Sequence, residues 1–164
     1  MISRLLLFLL LLLFTACDGS DKPAPATQIG QPAPPFNLKD IKGAPFSLEQ
    51  KKGQVVLLRF WSTQCKSCKE EMPKLEALYQ KMNPSLITLV AVNIQDTPEE
   101  TAAFIKGMGL TFPILIDENK ETARQYKVYG VPTSFVIDKT GVIRSRFFGD
   151  LSEAETEKLI KPIL

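Results

Sequence analysis

Val55-Val56-Leu57-Leu58-Arg59-Phe60-Trp61, running directly into Ser62-Thr63-Gln64-Cys65-Lys66-Ser67-Cys68, decides how this chain is read. The first seven residues are rich in β formers and too apolar to leave one face in water, which predicts a central strand covered on both sides. Residues 66–82 then place Met72, Leu75, Leu78, Tyr79 and Met82 at helical spacing, with Glu70 and Glu71 near the start. That pattern predicts an amphipathic helix. Cys-x-x-Cys therefore falls where a buried strand meets a helix N-terminus, the context that gives the motif chemical meaning. Cys65 would face unsatisfied backbone N–H groups and the positive end of the helix dipole, both of which favour thiolate over thiol. Cys68, one turn inward, is placed to attack a mixed disulfide on Cys65 and release the partner's thiol.

Working outward, residues 86–94 form a second apolar β-rich run, completing a strand, helix, strand unit. Helices are expected over 98–108, 118–126 and 152–160, the last with Ser152 and Glu155 spaced as a capping box. Short strands are expected at 114–116 and 133–137. Asp138-Lys139-Thr140-Gly141 links the latter to 142–148 as a hairpin. Near the start of this region, 36–38 and 46–48 alternate apolar and polar around Lys42-Gly43 and read as a further hairpin. Strands alternating with helices imply an α/β sandwich around a mixed sheet.

Ahead of the domain, Arg4 precedes a run from Leu5 to Phe14 of eight Leu and two Phe, then Thr15-Ala16-Cys17. This is the layout of a signal peptide, because a membrane span needs about 20 apolar residues and Asp18 follows almost at once. Phe14-Thr15-Ala16-Cys17 resembles a bacterial lipobox. The resemblance implies a diacylated Cys17 at the mature N-terminus and a lipid anchor in the cell envelope facing the periplasm. Asp18 resembles an inner-membrane retention signal. Residues 17–35 hold Pro23, Pro25, Pro32, Pro34 and Pro35 among small and polar residues, the composition of an extended tether. The expected organisation is thus a leader over 1–16, a lipidated tether over 17–35 and one domain over 36–164.

Composition narrows the chemistry. The 164 residues contain no histidine, which excludes Ser-His-Asp, Cys-His and His-rich metal sites. With 20 Lys+Arg against 18 Asp+Glu and no basic cluster interleaved with aromatics, nucleic acid is not an expected partner. A zinc site would need four ligands where only Cys65 and Cys68 stand, and a c-type haem site would need His at Lys69. A purely structural disulfide would close too short a loop to stabilise much. Redox chemistry remains, with no metal and no cofactor required.

The stretch from Phe60 to Pro73 (FWSTQCKSCKEEMP) resembles the active site of TlpA/ResA-like thioredoxin-fold proteins. The likeness continues through Val92-Asn93, Phe112-Pro113, Asp117, Tyr126 and Gly130-Val131-Pro132-Thr133-Ser134-Phe135-Val136-Ile137-Asp138. It implies a thioredoxin-like three-layer sandwich with an N-terminal β-hairpin and a central insertion, here over 98–126. It implies a thiol-disulfide oxidoreductase acting on disulfides of exported proteins, apocytochrome c among them, as a reductant recharged by a membrane thiol reductase. Pro132 matches a cis-proline beside the redox pair, a turn that would let Val131 pair with an extended substrate chain. Trp61 is expected to touch substrate as well. Asp96 falls near the place of a glutamate that assists proton transfer, and its other reading is a helix cap ahead of Pro98.

Arg59 departs from the family, which often has Asn there. Pointing inward, it would favour the thiolate; otherwise it would snorkel out of the sheet. Lys66 also biases Cys65 toward thiolate, weakly if exposed. Two other functions fit the sequence less well. A peroxiredoxin-type thiol peroxidase needs Pro where Leu58 stands, and a copper-handling protein of the related Sco type needs a His.

Overall fold

A computed structural model describes residues 27–164. The leader, Cys17 and Asp18 lie outside the described residues. In chain order the elements are β1 (Asn37–Asp40), β2 (Pro45–Ser47), β3 (Val55–Trp61), α1 (Lys66–Lys81), β4 (Ile87–Asn93), α2 (Pro98–Ile105), β5 (Ile114–Ile116), α3 (Glu121–Gln125), β6 (Thr133–Ile137), β7 (Ile143–Phe148) and α4 (Glu153–Ile160). The seven strands form one sheet in the order β2-β1-β5-β4-β3-β6-β7. β3 pairs parallel with β4, and β4 with β5. The β1–β2, β1–β5, β3–β6 and β6–β7 pairs are antiparallel.

Strand periodicity sorts the core into two faces. Val55, Leu57 and Trp61 of β3 join Cys68, Met72 and Leu75 of α1 and Ile160 of α4 on one side. Val56, Leu58 and Phe60 join Phe36 and Phe46 from the hairpin region, Ala123 of α3 and Tyr126 just after it on the other. Because both faces are covered, β3 and β4 are buried along their whole length. This is the expected thioredoxin-like three-layer arrangement. The segment between β4 and β6 carries α2, β5 and α3, and β5 joins the central strands to the β1–β2 hairpin. Among the described residues, no helix is long and apolar enough to cross a membrane.

Local chemistry fixes the helix starts. Thr97 with Glu100 and Ser152 with Glu155 form reciprocal capping boxes at α2 and α4. α2 ends at Ile105 rather than extending to Met108, and Gly107 and Gly109 just beyond it take positive φ. In the β1–β2 turn Asp40 Oδ1 accepts the N–H groups of Lys42 and Ala44, both at 2.8 Å, while Gly43 supplies a φ of 84°.

The last part of the segment read as tether, residues 27–35, packs on the domain. Gly30 N and Ala33 N donate to Ile143 O and Gly141 O, each at 2.8 Å, and Ile143 N donates to Gln31 O at 2.9 Å. Tyr126 Oη donates to Pro34 O at 2.8 Å, and Thr27 donates to Gln125 O. Composition missed this because the segment contributes little apolar surface. Its backbone instead pairs with the start of β7, an edge strand whose polar groups would otherwise be uncovered.

Candidate active site

Cys65 is the N-cap of α1, with φ −85° and ψ 104°, and its Sγ accepts the backbone N–H of Cys68 at 3.2 Å. The cap position normally belongs to Ser, Thr, Asp or Asn because an acceptor there satisfies an orphan donor. A sulfur in that role gains most when it is anionic, so the helix start favours thiolate at Cys65. Ser67 Oγ lies 3.6 Å from the same sulfur. Cys65 and Cys68 form a disulfide, with Cα atoms 5.2 Å apart. The two sulfurs differ in access: Cys65 is half-buried, whereas Cys68 is 1% exposed and packs within the α1-side core.

Around Cys65 a shallow groove is lined by Ser62, Gln64, Ser67, Gln95 and Val131. The Val131–Pro132 peptide bond is cis. That loop is held from both ends, Thr133 Oγ1 donating to Gly130 O at 2.6 Å and Gly149 N to Pro132 O at 2.9 Å. Lys66 projects into solvent, its Nζ 4.0 Å from Glu70 Oε1, so water and salt screen its charge.

Asp96 is buried and fully engaged. Its carboxylate accepts Thr63 N and Thr63 Oγ1, both at 2.7 Å, and Asn93 Nδ2 at 2.8 Å. Burial alone would raise its pKa, but the hydrogen bonds from Thr63 and Asn93 outweigh that and hold the carboxyl below its ordinary value. It is not the cap of α2, a place taken by Thr97. Asp96 instead ties the loop before Cys65 to the end of β4.

Trp61 requires a correction. It is fully buried, on the α1 side of β3, with its ring 5.7 Å from that of Phe104. The alternation that puts Leu57 and Trp61 under α1 removes this side chain from any substrate surface. The same alternation turns Arg59 inward, so it does not snorkel. It forms an ion pair with Glu71 of α1, and its Nη1 donates to Ser134 Oγ at 2.8 Å and Gly149 O at 2.9 Å. Burial pulls the guanidinium down to about 10, with nearby Asp150 opposing, which leaves it charged at neutral pH.

Glu71 is the residue that sequence reasoning did not single out. The signal was present: counting along the helix from Cys68, position 71 shares the inward face with Met72, Leu75 and Leu78. An acid there and a base at an inward strand position are a pair waiting to be matched.

An accessible, helix-capping cysteine with a shielded partner one turn inside, on a thioredoxin-like sheet, defines a class of proteins that exchange thiols and disulfides. Known proteins bear this out. Residues 29–146 match the model of the AhpC/TSA family, and the chain belongs to that family. It is 34% identical to the thiol-disulfide oxidoreductase ResA of Bacillus cereus over 150 residues, 92% of this chain and 87% of that protein. It is 41% identical to the thioredoxin-like protein YneN of Bacillus subtilis, over 80% and 78% of the two chains. Among solved structures, a putative thiol:disulfide interchange protein DsbE from Chlorobium tepidum superposes with a TM-score of 0.73 at 29% identity, over 83% of this chain and 97% of that one. StoA from Bacillus subtilis gives 0.69 at 30% identity, over 78% and 97%. The protein is a thiol-disulfide oxidoreductase of the ResA/DsbE type.

Proposed function

We propose that the protein is a lipid-anchored reductant of the bacterial cell envelope, delivering electrons to disulfides of exported proteins. The observation that carries the order of events is the contrast between half-buried Cys65, capping α1, and Cys68, closed off in the core. The Cys65 thiolate attacks a sulfur of the substrate disulfide, forming a Cys65–substrate bond and releasing one substrate thiolate, which takes a proton. The Cys68 thiolate then attacks Cys65 Sγ, forming the Cys65–Cys68 disulfide and releasing the second substrate thiol. Two electrons and two protons pass to the substrate, and a membrane thiol reductase restores the dithiol.

Val131 lines the groove beside Cys65 and is assigned to receive the backbone of an extended substrate. Pro132 shapes that loop. Asp96 positions Thr63 and the approach to Cys65 rather than carrying protons, since all its polar contacts hold it ionised. Cys17 carries the lipid, and Asp18 directs retention in the inner membrane. Apocytochrome c is the substrate class that the family resemblance favours.

The test is trapping. Cys68→Ser should accumulate long-lived mixed disulfides through Cys65, whereas Cys65→Ser should accumulate none. Equal trapping by both variants would overturn the assignment.

A further inference from the structure

We propose that Ser67 is a further catalytic residue, whose hydroxyl donates a hydrogen bond to Cys65 Sγ and eases the departure of that sulfur when the oxidised protein is recharged. The proposal rests on the reading of Cys65 as the accessible, exchanging sulfur. Ser67 Oγ lies 3.6 Å from Cys65 Sγ, within reach for a hydroxyl and an atom as large as sulfur. A sulfur in a disulfide has no proton to give, so the hydroxyl is the donor.

Helix geometry holds it there. Cys65 caps α1, and Ser67 is the second residue of the helix, half-buried on the wall of the groove. Deeper in a helix, a serine hydroxyl can turn back to the carbonyl four residues earlier. Here that residue is Thr63, outside the helix, and Cys65 Sγ takes the bond instead. Two donors therefore converge on one sulfur, Cys68 N at 3.2 Å and the Ser67 hydroxyl. Both bonds strengthen when the sulfur becomes an anion. The charged groups nearby are engaged elsewhere: Lys66 and Glu70 stand 4.0 Å apart in solvent, Asp96 is bound to Thr63 and Asn93, and Arg59 and Glu71 hold each other.

The consequence falls on one half of the cycle. In recharging, a thiolate of a dithiol donor attacks Cys65 Sγ, a Cys65–donor bond replaces the Cys65–Cys68 bond, and the Cys68 sulfur leaves and takes a proton. The donor's second thiolate then attacks the donor sulfur of this mixed disulfide, closing the donor's own disulfide and expelling Cys65 as a thiolate. Two electrons pass from the donor to the pair. A thiol of lower pKa leaves faster but attacks more weakly. Ser67 thus favours release of Cys65 from its donor while slowing its attack on substrate.

The experiment compares the wild type with Ser67→Ala and with Ser67→Thr, which keeps the hydroxyl. A hydrogen bond to a charged sulfur at a half-buried site changes an equilibrium by about tenfold. In Ser67→Ala the ultraviolet absorbance of the thiolate should titrate about one pH unit higher, and the couple, measured against glutathione, should be about tenfold, or about 30 mV, more reducing. Well above both midpoints, Cys65 of Ser67→Ala should react about threefold faster with iodoacetamide, yet leave a mixed disulfide with glutathione about threefold more slowly. The leaving rate is read in the Cys68→Ser background, with dithiothreitol as the attacking thiol. Ser67→Thr should restore the wild-type values. An unchanged titration and potential in Ser67→Ala, attack and release changing in the same direction, or a Thr variant that behaves like the Ala variant would each overturn the proposal. Faster labelling of Cys68 than of Cys65 in the reduced wild type would instead overturn the reading beneath it.

Discussion

Arg59 of β3 and Glu71 of α1 form an ion pair inside the sheet–helix interface, 2% and 4% exposed respectively. Glu71 uses its other oxygen, Oε1, to accept Leu151 N at 2.9 Å, and Arg59 reaches Ser134 and Gly149. One pair therefore ties the cysteine-bearing helix to β3, to β6 just after Pro132, and to the segment joining β7 and α4. The cation next to the redox helix is not a lone charge acting on the thiols. Its partner carboxylate sits on the same helix as Cys68, and together they leave little net field. Desolvating two ions is costly, and only this complete set of contacts offsets it.

Removing one partner should be far more damaging than removing both. Arg59→Leu or Glu71→Leu alone should cost about 3–5 kcal/mol in denaturant unfolding, because each leaves a buried charge uncompensated. Arg59→Leu/Glu71→Leu should cost less than either single variant. Additive losses in that double-mutant cycle would show that the two side chains do not act as a unit.

Acid should loosen the β6–β7 hairpin. Asp138 accepts from Thr140 N at 2.9 Å, Thr140 Oγ1 at 2.6 Å, Val142 N at 3.0 Å and Arg144 Nε at 2.5 Å. Burial alone would raise its pKa, yet these bonds bring it from 3.8 down to about 2. The folded state thus holds its proton less tightly than the unfolded chain. The associated stability is complete above about pH 4 and is lost as pH falls toward about 2. Thermal midpoints across that window should fall more steeply for wild type than for Asp138→Asn; parallel curves would refute the assignment.

Address and chemistry should separate cleanly. Cys17→Ser should move the protein out of the membrane fraction and leave disulfide reduction by the purified protein unchanged. Mass spectrometry of the mature N-terminus checks the premise, and an unmodified Cys17 thiol would remove it.

The redox core was legible because two periodicities meet at one motif. The apolar run 55–61 could only be a covered strand, the 3.6-residue pattern after Lys66 could only be a helix, and Cys65 had to fall at the junction. Ser152 and Glu155 announced the start of α4 in the same local way. What composition hid were relations across the fold. The alternation in β3 shows that Arg59 and Trp61 share a face, but not that α1 seals it. Burial of Trp61 and the match of Arg59 to Glu71 depend on that seal. Residues 27–35 were hidden for a different reason, since they attach through backbone hydrogen bonds, which side-chain composition does not report.

Whether Cys65 and Cys68 work as the proposed reducing couple is decided by an equilibrium titration of the pair against glutathione. A reducing couple should show a potential near that of thioredoxin, about −270 mV, low enough to drive electrons into exported disulfides. A value near −120 mV, the range of a strong oxidant, would contradict it.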